Sequence, residues 1–326
     1  MGWPARTGNL RPDAGGESRL TVMDWRPYAY ALAGRVTHPG SRWRDAVAST
    51  PRHLFVPAWW ARSGGRWKVR HGPSDEAAWL EAAYRDRTLI TKIGTLHADH
   101  ATTADEPTGR PTSSSTLPVL VLQMYRHARI GEKHAVLDVG TGSGYGAALL
   151  CHLLGDELVT SIDVDDYVTA IATRRLAEAG HHPRVASIDA TGDLRWTFDR
   201  IVAMVSVRPI PPSWLTALNP GGRLTTTISG TSLIVSATKT DDGGAVGVVE
   251  RDWAMFMRTR TGADYPPGLS DLMETARTAE GDEVRTGRFP VIDIEQNAWE
   301  LRSMVEILAP GIEHDYRETG VTPGSR

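Results

Sequence analysis

The chain has a single cysteine, Cys151, which excludes an intramolecular disulfide and any zinc site built from several cysteines. It has no apolar run near the ~18 residues a membrane span needs, and its polar N-terminus has no apolar signal core. An excess of one charge sign is also missing: 36 Lys+Arg stand against 39 Asp+Glu, a net charge of −3. That balance gives no support to a strongly basic nucleic-acid binder. Neither nucleic acid nor membrane is expected as a partner, and the cytoplasm is the expected location. The histidines are scattered; His97, His100, His181 and His182 lack carboxylate or cysteine spacing around them, so no metal is expected. What is present is 326 residues, 40% hydrophobic and 23% charged, enough to bury a sizeable core. By length this is about two domains or one elaborated domain.

Residues 1–22 are rich in Gly, Pro and Arg and are expected to be a disordered leader. Residues 23–115 read as an N-terminal extension with peptide-facing segments. It holds two short helices broken at His38-Pro39-Gly40, an extended segment Pro51–Pro57, a turn at Ser63-Gly64-Gly65, and a helix that Ser74 caps. Asp99 to Ser115 is polar and reads as a loop. Residues 116–240 alternate buried-strand runs (134–139, 158–163, 184–189, 199–207) with apolar helices (145–154, 166–179). That alternation predicts an α/β fold with a mostly parallel central sheet and helices on both faces. Residues 241–326 form a C-terminal extension with one more strand, Ala245 to Phe256, and a helix over 297–308. Trp59, Trp60, Trp67 and Trp79 are read first as cover for a core edge, with a peptide-binding wall as the alternative.

Between the first parallel strand and its helix lies Asp138-Val-Gly140-Thr141-Gly142-Ser143-Gly144, followed by Tyr145. Glycines there let backbone approach a ligand, and the helix N-terminus offers unpaired N–H groups. One frame, Gly142-Ser-Gly144-Tyr-Gly146-Ala147, also satisfies a dinucleotide-binding pattern. The acids favour a different ligand. Asp138 precedes the first glycine by two residues, where it would repel a pyrophosphate and suit a cationic amino-acid moiety. Asp163, followed by Val164, ends the second strand, where a carboxylate accepts both hydroxyls of a ribose. Asp189, followed by Ala190, ends the third and is placed for an adenine amine. Adenine, ribose, no phosphate and a zwitterionic tail describe S-adenosylmethionine, the expected cofactor.

Val136-Leu-Asp-Val-Gly-Thr-Gly-Ser-Gly-Tyr145 resembles the cofactor loop of protein-L-isoaspartate O-methyltransferases. Pro51-Arg-His-Leu-Phe-Val-Pro57 is similar to that family's N-terminal segment. Ser113-Ser-Ser-Thr-Leu-Pro118 lies where the family carries Thr-Ile-Ser-x-Pro, and Leu218-Asn-Pro-Gly-Gly-Arg-Leu224 resembles its turn into the fifth strand. The resemblance covers about Trp43 to Ile228. It implies a Rossmann-like S-adenosylmethionine-dependent methyltransferase fold with extensions at both ends. By the same resemblance Phe55, Val56, Ser114 and Ser115 touch substrate, Ser114 also touches the cofactor, and the family's serine falls on Thr116 or, with a one-residue slip, on Ser115.

A carboxylate is already ionised at neutral pH and attacks a sulfonium methyl without a general base, so alignment is the main requirement. The Ser114–Thr116 hydroxyls are read as holding the acceptor; Thr116 is equally placed to cap the helix that follows. The extra length, together with Arg85-Asp-Arg-Thr-Leu-Ile-Thr-Lys92 and Trp253-Ala-Met-Phe-Met-Arg-Thr-Arg260, looks like a branch that matures ribosomal peptides beside ATP-grasp ligases. That implies methylation of an Asp in a precursor peptide, linear or macrocyclised, leading to aspartimide or isoaspartate. General isoaspartyl repair and a non-catalytic peptide-binding module are the alternatives.

Overall fold

A computed structural model describes residues 23–262, 264–265 and 299–309. The leader assigned to residues 1–22 lies outside the described residues. Two sheets organise the rest. The N-terminal one is antiparallel: β1 (Ala58–Ser63), β2 (Arg66–His71), β3 (Leu89–Ile93), β4 (Leu96–His97) and β5 (Pro111–Ser115), in the order β2-β1-β3-β4 with β5 also pairing β3. Gly64 and Gly65 join β1 to β2 with φ of 57° and 78°, which only glycine adopts freely at both places of a two-residue hairpin turn. Helices α1 (Arg26–Val36), α2 (Arg44–Ser49) and α3 (Glu76–Ala83) accompany this sheet.

The second sheet has seven strands in the order β12-β11-β10-β9-β6-β7-β8. These are β6 (Val136–Val139), β7 (Val159–Asp163), β8 (Arg184–Ser187), β9 (Phe198–Val207), β10 (Leu218–Ile228), β11 (Leu233–Lys239) and β12 (Ala245–Trp253). Strands β8, β7, β6, β9 and β10 pair in parallel; β11 and β12 are added antiparallel. Helices α4 (Pro118–His127), α5 (Tyr145–Leu154), α6 (Asp166–Glu178), α7 (Pro212–Ala217) and α8 (Trp299–Leu308) accompany this sheet among the described residues. The α/β class read from the alternation of strands and helices is thus the observed one.

Alternation along β6 divides the core. Val136 packs with α4 and α5 in one apolar cluster, while Leu137 and Val139 join Ile201, Leu224 and Trp214 of α7 in the other. The chain runs outward from β6 to β8, then crosses back to β9 on the other side of β6. The crevice at such a reversal of strand order is where open α/β sheets bind ligands.

Local readings change in three places. The segment after Pro51 is a 3-10 turn, Arg52–Phe55, where an extended segment was expected. Helix α3 is capped by Asp75, whose carboxylate accepts from the N–H of Ala78, and not by Ser74. The polar stretch read as a loop ends in strand β5, because β3 supplies its hydrogen-bond partners from about twenty residues away. Trp59 and Trp60 are buried, and the Trp79 indole donates to the Val56 carbonyl at 2.9 Å. The aromatic cluster covers core.

Candidate functional site

A cavity of about 780 Å³ opens above the carboxyl ends of β6, β7, β8 and β9, within the range of small-ligand sites. Its apolar floor comprises Val139, Ile162, Val164, Ile188, Ala190, Met204 and Val205. Gly140, Gly142, Asp163 and Asp189 give it a polar edge. Thr88, Ser113, Ser114 and Thr116 stand over that edge, and Met255 to Arg260, Tyr265 and Arg302 form a further wall.

The glycine loop is shaped by its own bonds. The N–H groups of Gly140 and Thr141 donate to the Ile162 carbonyl at 2.8 and 3.1 Å. Gly142 donates its N–H to Asp163 Oδ2 at 3.1 Å, and Asp165 donates to Asp163 Oδ1 at 3.3 Å. Burial raises the Asp163 pKa above its ordinary value, opposed by the Gly142 N–H and the Arg260 charge. Asp189 holds a turn: its Oδ1 accepts from the N–H and hydroxyl of Thr191 at 2.8 and 2.7 Å.

These features fit a diol-bearing ligand without phosphate. The Gly142 N–H is spent on a carboxylate, and that carboxylate would repel a pyrophosphate lying along the loop. Each of the two acids retains lone-pair capacity toward the cavity, since an ionised carboxylate offers about four acceptor sites. The dinucleotide frame seen in the sequence therefore has the wrong electrostatics here.

Strand β5 delivers the hydroxyl run to this loop. An ideal Cβ on Gly142 would lie 2.7 Å from the Ser114 carbonyl, so β5 and the loop are in direct contact. Ser113, Ser114 and Thr116 line the cavity, and the buried Ser113 hydroxyl has no partner among the described residues. The Thr116 hydroxyl is not a helix cap. Thr88 Oγ1 accepts from the N–H of Leu117, just before α4, at 3.1 Å, and Asp86 Oδ1 accepts from the first helical N–H, that of Val119, at 2.9 Å. Ser115 is turned away: it is buried and accepts from the Arg52 guanidinium.

Arg52 was not among the residues singled out in the sequence, although the segment Pro51–Pro57 was. Its fully buried guanidinium donates to the carbonyls of Ala83, Arg85, Arg87, Ser115 and Thr116 at 2.6 to 3.3 Å. It also lies over the Tyr145 ring, 5.2 Å from its centroid. Burial lowers its pKa to about 10, so it stays charged. Arg52 therefore fastens the strand end carrying Ser114 and Thr116 to the loop after α3. A charged residue between two prolines in an apolar segment was the available signal.

The remaining expected residues support the cavity from behind and are not in its wall. Asp138 shares the Val136 face of β6; its Oδ2 accepts from the Ser161 hydroxyl at 2.7 Å, and its Oδ1 is buried without a partner among the described residues. Burial raises its pKa to about 7. The side chain pointing into the cavity at this strand end is Val139, because alternation turns Asp138 to the other face. Thr141 Oγ1 and Ser161 Oγ share a 2.7 Å bond, and Ser143 Oγ accepts from Tyr145 N–H at 3.4 Å. Phe55 and Val56 are fully buried. The Phe55 ring lies 3.4 Å from the position of a Cβ on Gly144, beneath the loop instead of facing a substrate.

The C-terminal wall was not read from the sequence as part of the site. Residues after β12 run back across the sheet: Ser206 donates its N–H to the Met257 carbonyl at 2.8 Å, and Thr259 donates to the Ser206 carbonyl at 2.9 Å. The Arg260 side chain is tucked in, donates to the Thr112 carbonyl at 3.0 Å and lies 3.6 Å from Asp165. Lys92 also pairs with Asp165. Burial opposes ionisation of Asp165, yet the Lys92 ammonium holds its pKa below the ordinary value.

Cys151, Asp156 and His181 form a separate cluster with their ligand atoms within 4.8 Å of one another. It lies at the end of α5, outside the cavity. Asp156 accepts from the His182 N–H at 2.5 Å and lies 3.2 Å from the His181 ring. Among the described residues no helix is long and apolar enough to cross a membrane.

The family model described as "Protein-L-isoaspartate(D-aspartate) O-methyltransferase (PCMT)" matches residues 97–257. "Protein-L-isoaspartate O-methyltransferase 2" of Syntrophobacter fumaroxidans is 36% identical over 57% of this chain and 61% of its own length. "Protein-L-isoaspartate O-methyltransferase 1" of an Anaeromyxobacter species is 30% identical over 61% of this chain and 78% of its own. A solved Plasmodium falciparum structure, described as a protein-L-isoaspartate O-methyltransferase in complex with S-adenosyl-L-homocysteine, has the same fold. Its TM-score is 0.51 at 11% identity, covering 74% of this chain and all of that one.

Proposed function

Because the chain belongs to the protein-L-isoaspartate O-methyltransferase family, we propose that it transfers the methyl group of S-adenosylmethionine to a carboxylate of a peptide, and that the acceptor is an aspartyl side chain of a ribosomally made precursor, macrocyclised by an ATP-grasp ligase. The observation that carries the family-level chemistry is the contact between Ser114 and Gly142. It sets the Ser113, Ser114 and Thr116 hydroxyls against the loop that would hold the cofactor.

When bound, the cofactor supplies an electrophilic methyl on a sulfonium. The chain supplies alignment. Asp163 would hold ribose hydroxyls, Asp189 with Ile188 and Ala190 the base, and Gly140 and Gly142 the backbone edge. The acceptor carboxylate is ionised before it arrives, so no group need take its proton. Among the described residues lining the cavity there is no His, Cys, Lys or Glu. The hydroxyls and the buried Arg52 that fixes their backbone do the positioning, which converts a bimolecular step into an effectively unimolecular one.

The precursor-peptide assignment draws support from length. The family model stops at residue 257, yet Arg258, Thr259, Arg260, Tyr265 and Arg302 beyond it line the cavity. A wall that continues beyond the shared family region suits a substrate peculiar to a divergent branch. General isoaspartyl repair is the second reading, favoured by the hydroxyl run and glycine loop that lie inside the matched region.

The two readings separate by incubation with cofactor and either generic isoaspartyl peptides or a precursor peptide, linear and cyclised, encoded beside the gene. The precursor reading expects a gain of one methylene mass on a normal Asp, followed by loss of methanol. Turnover of generic isoaspartyl peptides with no reaction on normal Asp would replace it with repair.

A further inference from the structure

Among the described residues, the cavity wall carries four arginines, Arg110, Arg258, Arg260 and Arg302, against two carboxylates, Asp163 and Asp189. Two of the arginines, Arg258 and Arg302, stand across the sheet from the acids, while Arg260 lies beside Asp165. The acids stand at the ends of β7 and β8, on one side of the glycine loop. Arg258 bridges to Ser206 at the end of β9, on the other side. Farther that way, α8 carries Arg302 and is tied to the turn before β11, where Ser232 donates its N–H to the Ser303 hydroxyl at 3.0 Å.

The acids belong to the end read as holding the cofactor, and the arginines line the same cavity as the hydroxyl run. Arg260 is committed to structure through Asp165 and the Thr112 carbonyl. Arg258 and Arg302 are exposed at the rim on fixed backbone. The Tyr265 hydroxyl donates to the Arg258 carbonyl at 3.3 Å. Glu306, one turn from Arg302, pairs with Arg208 at 3.0 Å, and Asp264 accepts from the Tyr265 N–H at 2.7 Å.

We propose that Arg258 and Arg302 recognise a second carboxylate of the substrate, so that the peptide is acidic beside its methyl-accepting residue. This rests on the methyl-transfer reading above. The planar guanidinium matches a carboxylate with two parallel hydrogen bonds, and it keeps its charge at every working pH. A neutral segment would leave the positive rim uncompensated; an Asp or Glu flanking the acceptor neutralises it. Because the rim is solvent-exposed, the preference weakens as salt is raised.

The test uses two short isoaspartyl peptides and two aspartyl ones, alike except that the flanking residues are Glu in one of each pair and Gln in the other. Affinities are measured by calorimetry with S-adenosylhomocysteine present, and rates by methyl transfer. The wild-type protein is expected to favour the Glu peptide by about tenfold, in Kd and in KM with little change in kcat. Arg258→Gln with Arg302→Gln brings the two peptides to near-equal affinity, and Arg258→Lys with Arg302→Lys keeps most of the preference. Arg302→Gln alone, on an exposed helix face, gives an intermediate ratio should the double variant not fold. Equal affinity in the wild type, or an unchanged ratio in the Gln variants, overturns the proposal. A Glu preference in Kd with no methyl transfer to any peptide overturns the methyl-transfer reading alone.

Discussion

The Ser114 carbonyl and the α-carbon of Gly142 approach so closely that a Cβ on Gly142 would stand 2.7 Å from that oxygen, at a φ of 51°. One strand of the N-terminal sheet is thereby pressed onto the glycine loop of the parallel sheet. Elements far apart in sequence meet there, and the cavity exists because they do.

Gly142→Ala tests this contact. The left-handed backbone costs a non-glycine residue about 1–3 kcal/mol, and the added methyl must push back either β5 or the loop. S-adenosylhomocysteine affinity is expected to fall by about tenfold or more, read by calorimetry, with a smaller loss in thermal midpoint. Unchanged affinity would mean that the loop and β5 do not form one site.

Asp163 is the residue assigned to a ribose. Asp163→Asn removes the charge that strengthens those bonds and should cost about 1.5–3 kcal/mol of cofactor-product affinity. The pH dependence has a definite sign. Burial raises the carboxyl's pKa, so the acceptor form is lost as pH falls through that raised value, and wild-type affinity weakens on the acid side. The Asn variant should lack that slope in a pH series of calorimetric titrations.

Arg52 holds five carbonyls with one guanidinium. Arg52→Met leaves buried acceptors unpaired and should cost about 3 kcal/mol or more in denaturant stability. Arg52→Lys recovers only part, since an ammonium has three donors and no planar fork. Because the Ser115 and Thr116 carbonyls are among the partners, the Lys variant should also lose kcat while cofactor binding changes little.

Asp138 makes a stability prediction. Its pKa rises from 3.8 to about 7 on folding, so between those values the folded state binds the extra proton and stability falls as pH rises. Asp138→Asn keeps an acceptor for the Ser161 hydroxyl without the charge. Relative to wild type it should gain stability progressively from pH 4 to pH 7 and hold the gain above, by up to roughly 4 kcal/mol from the linked shift. A difference independent of pH, read from denaturant midpoints, would contradict buried titration at this residue.

The parallel core was legible because β6, β7 and β9 are buried apolar runs whose pattern is local. Asp163 and Asp189 were legible as strand-end acids in register with the glycine loop. Strand β5 was not, because Pro111–Ser115 has the composition of a loop and is ordered by pairing with β3. Asp138 was placed at the right strand end but on the wrong face, since a buried parallel strand has no polar alternation to show which way its side chains turn. Phe55 and Val56 lie within the segment that resembles the family, yet burial assigns them to support and gives Arg52 the structural role there. The C-terminal wall was hidden for another reason: Met255 to Arg260 form no regular element, and long-range bonds to Ser206, Thr112 and Asp165 lay them across the cavity.

The most direct test of carboxyl methylation is the transfer of tritium from methyl-labelled S-adenosylmethionine to isoaspartyl and aspartyl peptides, followed by mild base. The predicted result is label on peptide that is released as volatile methanol, abolished or strongly reduced by Gly142→Ala and Asp163→Asn. Base-stable label, or base-labile transfer undiminished in both variants, would contradict a carboxyl methyltransferase working from this cavity.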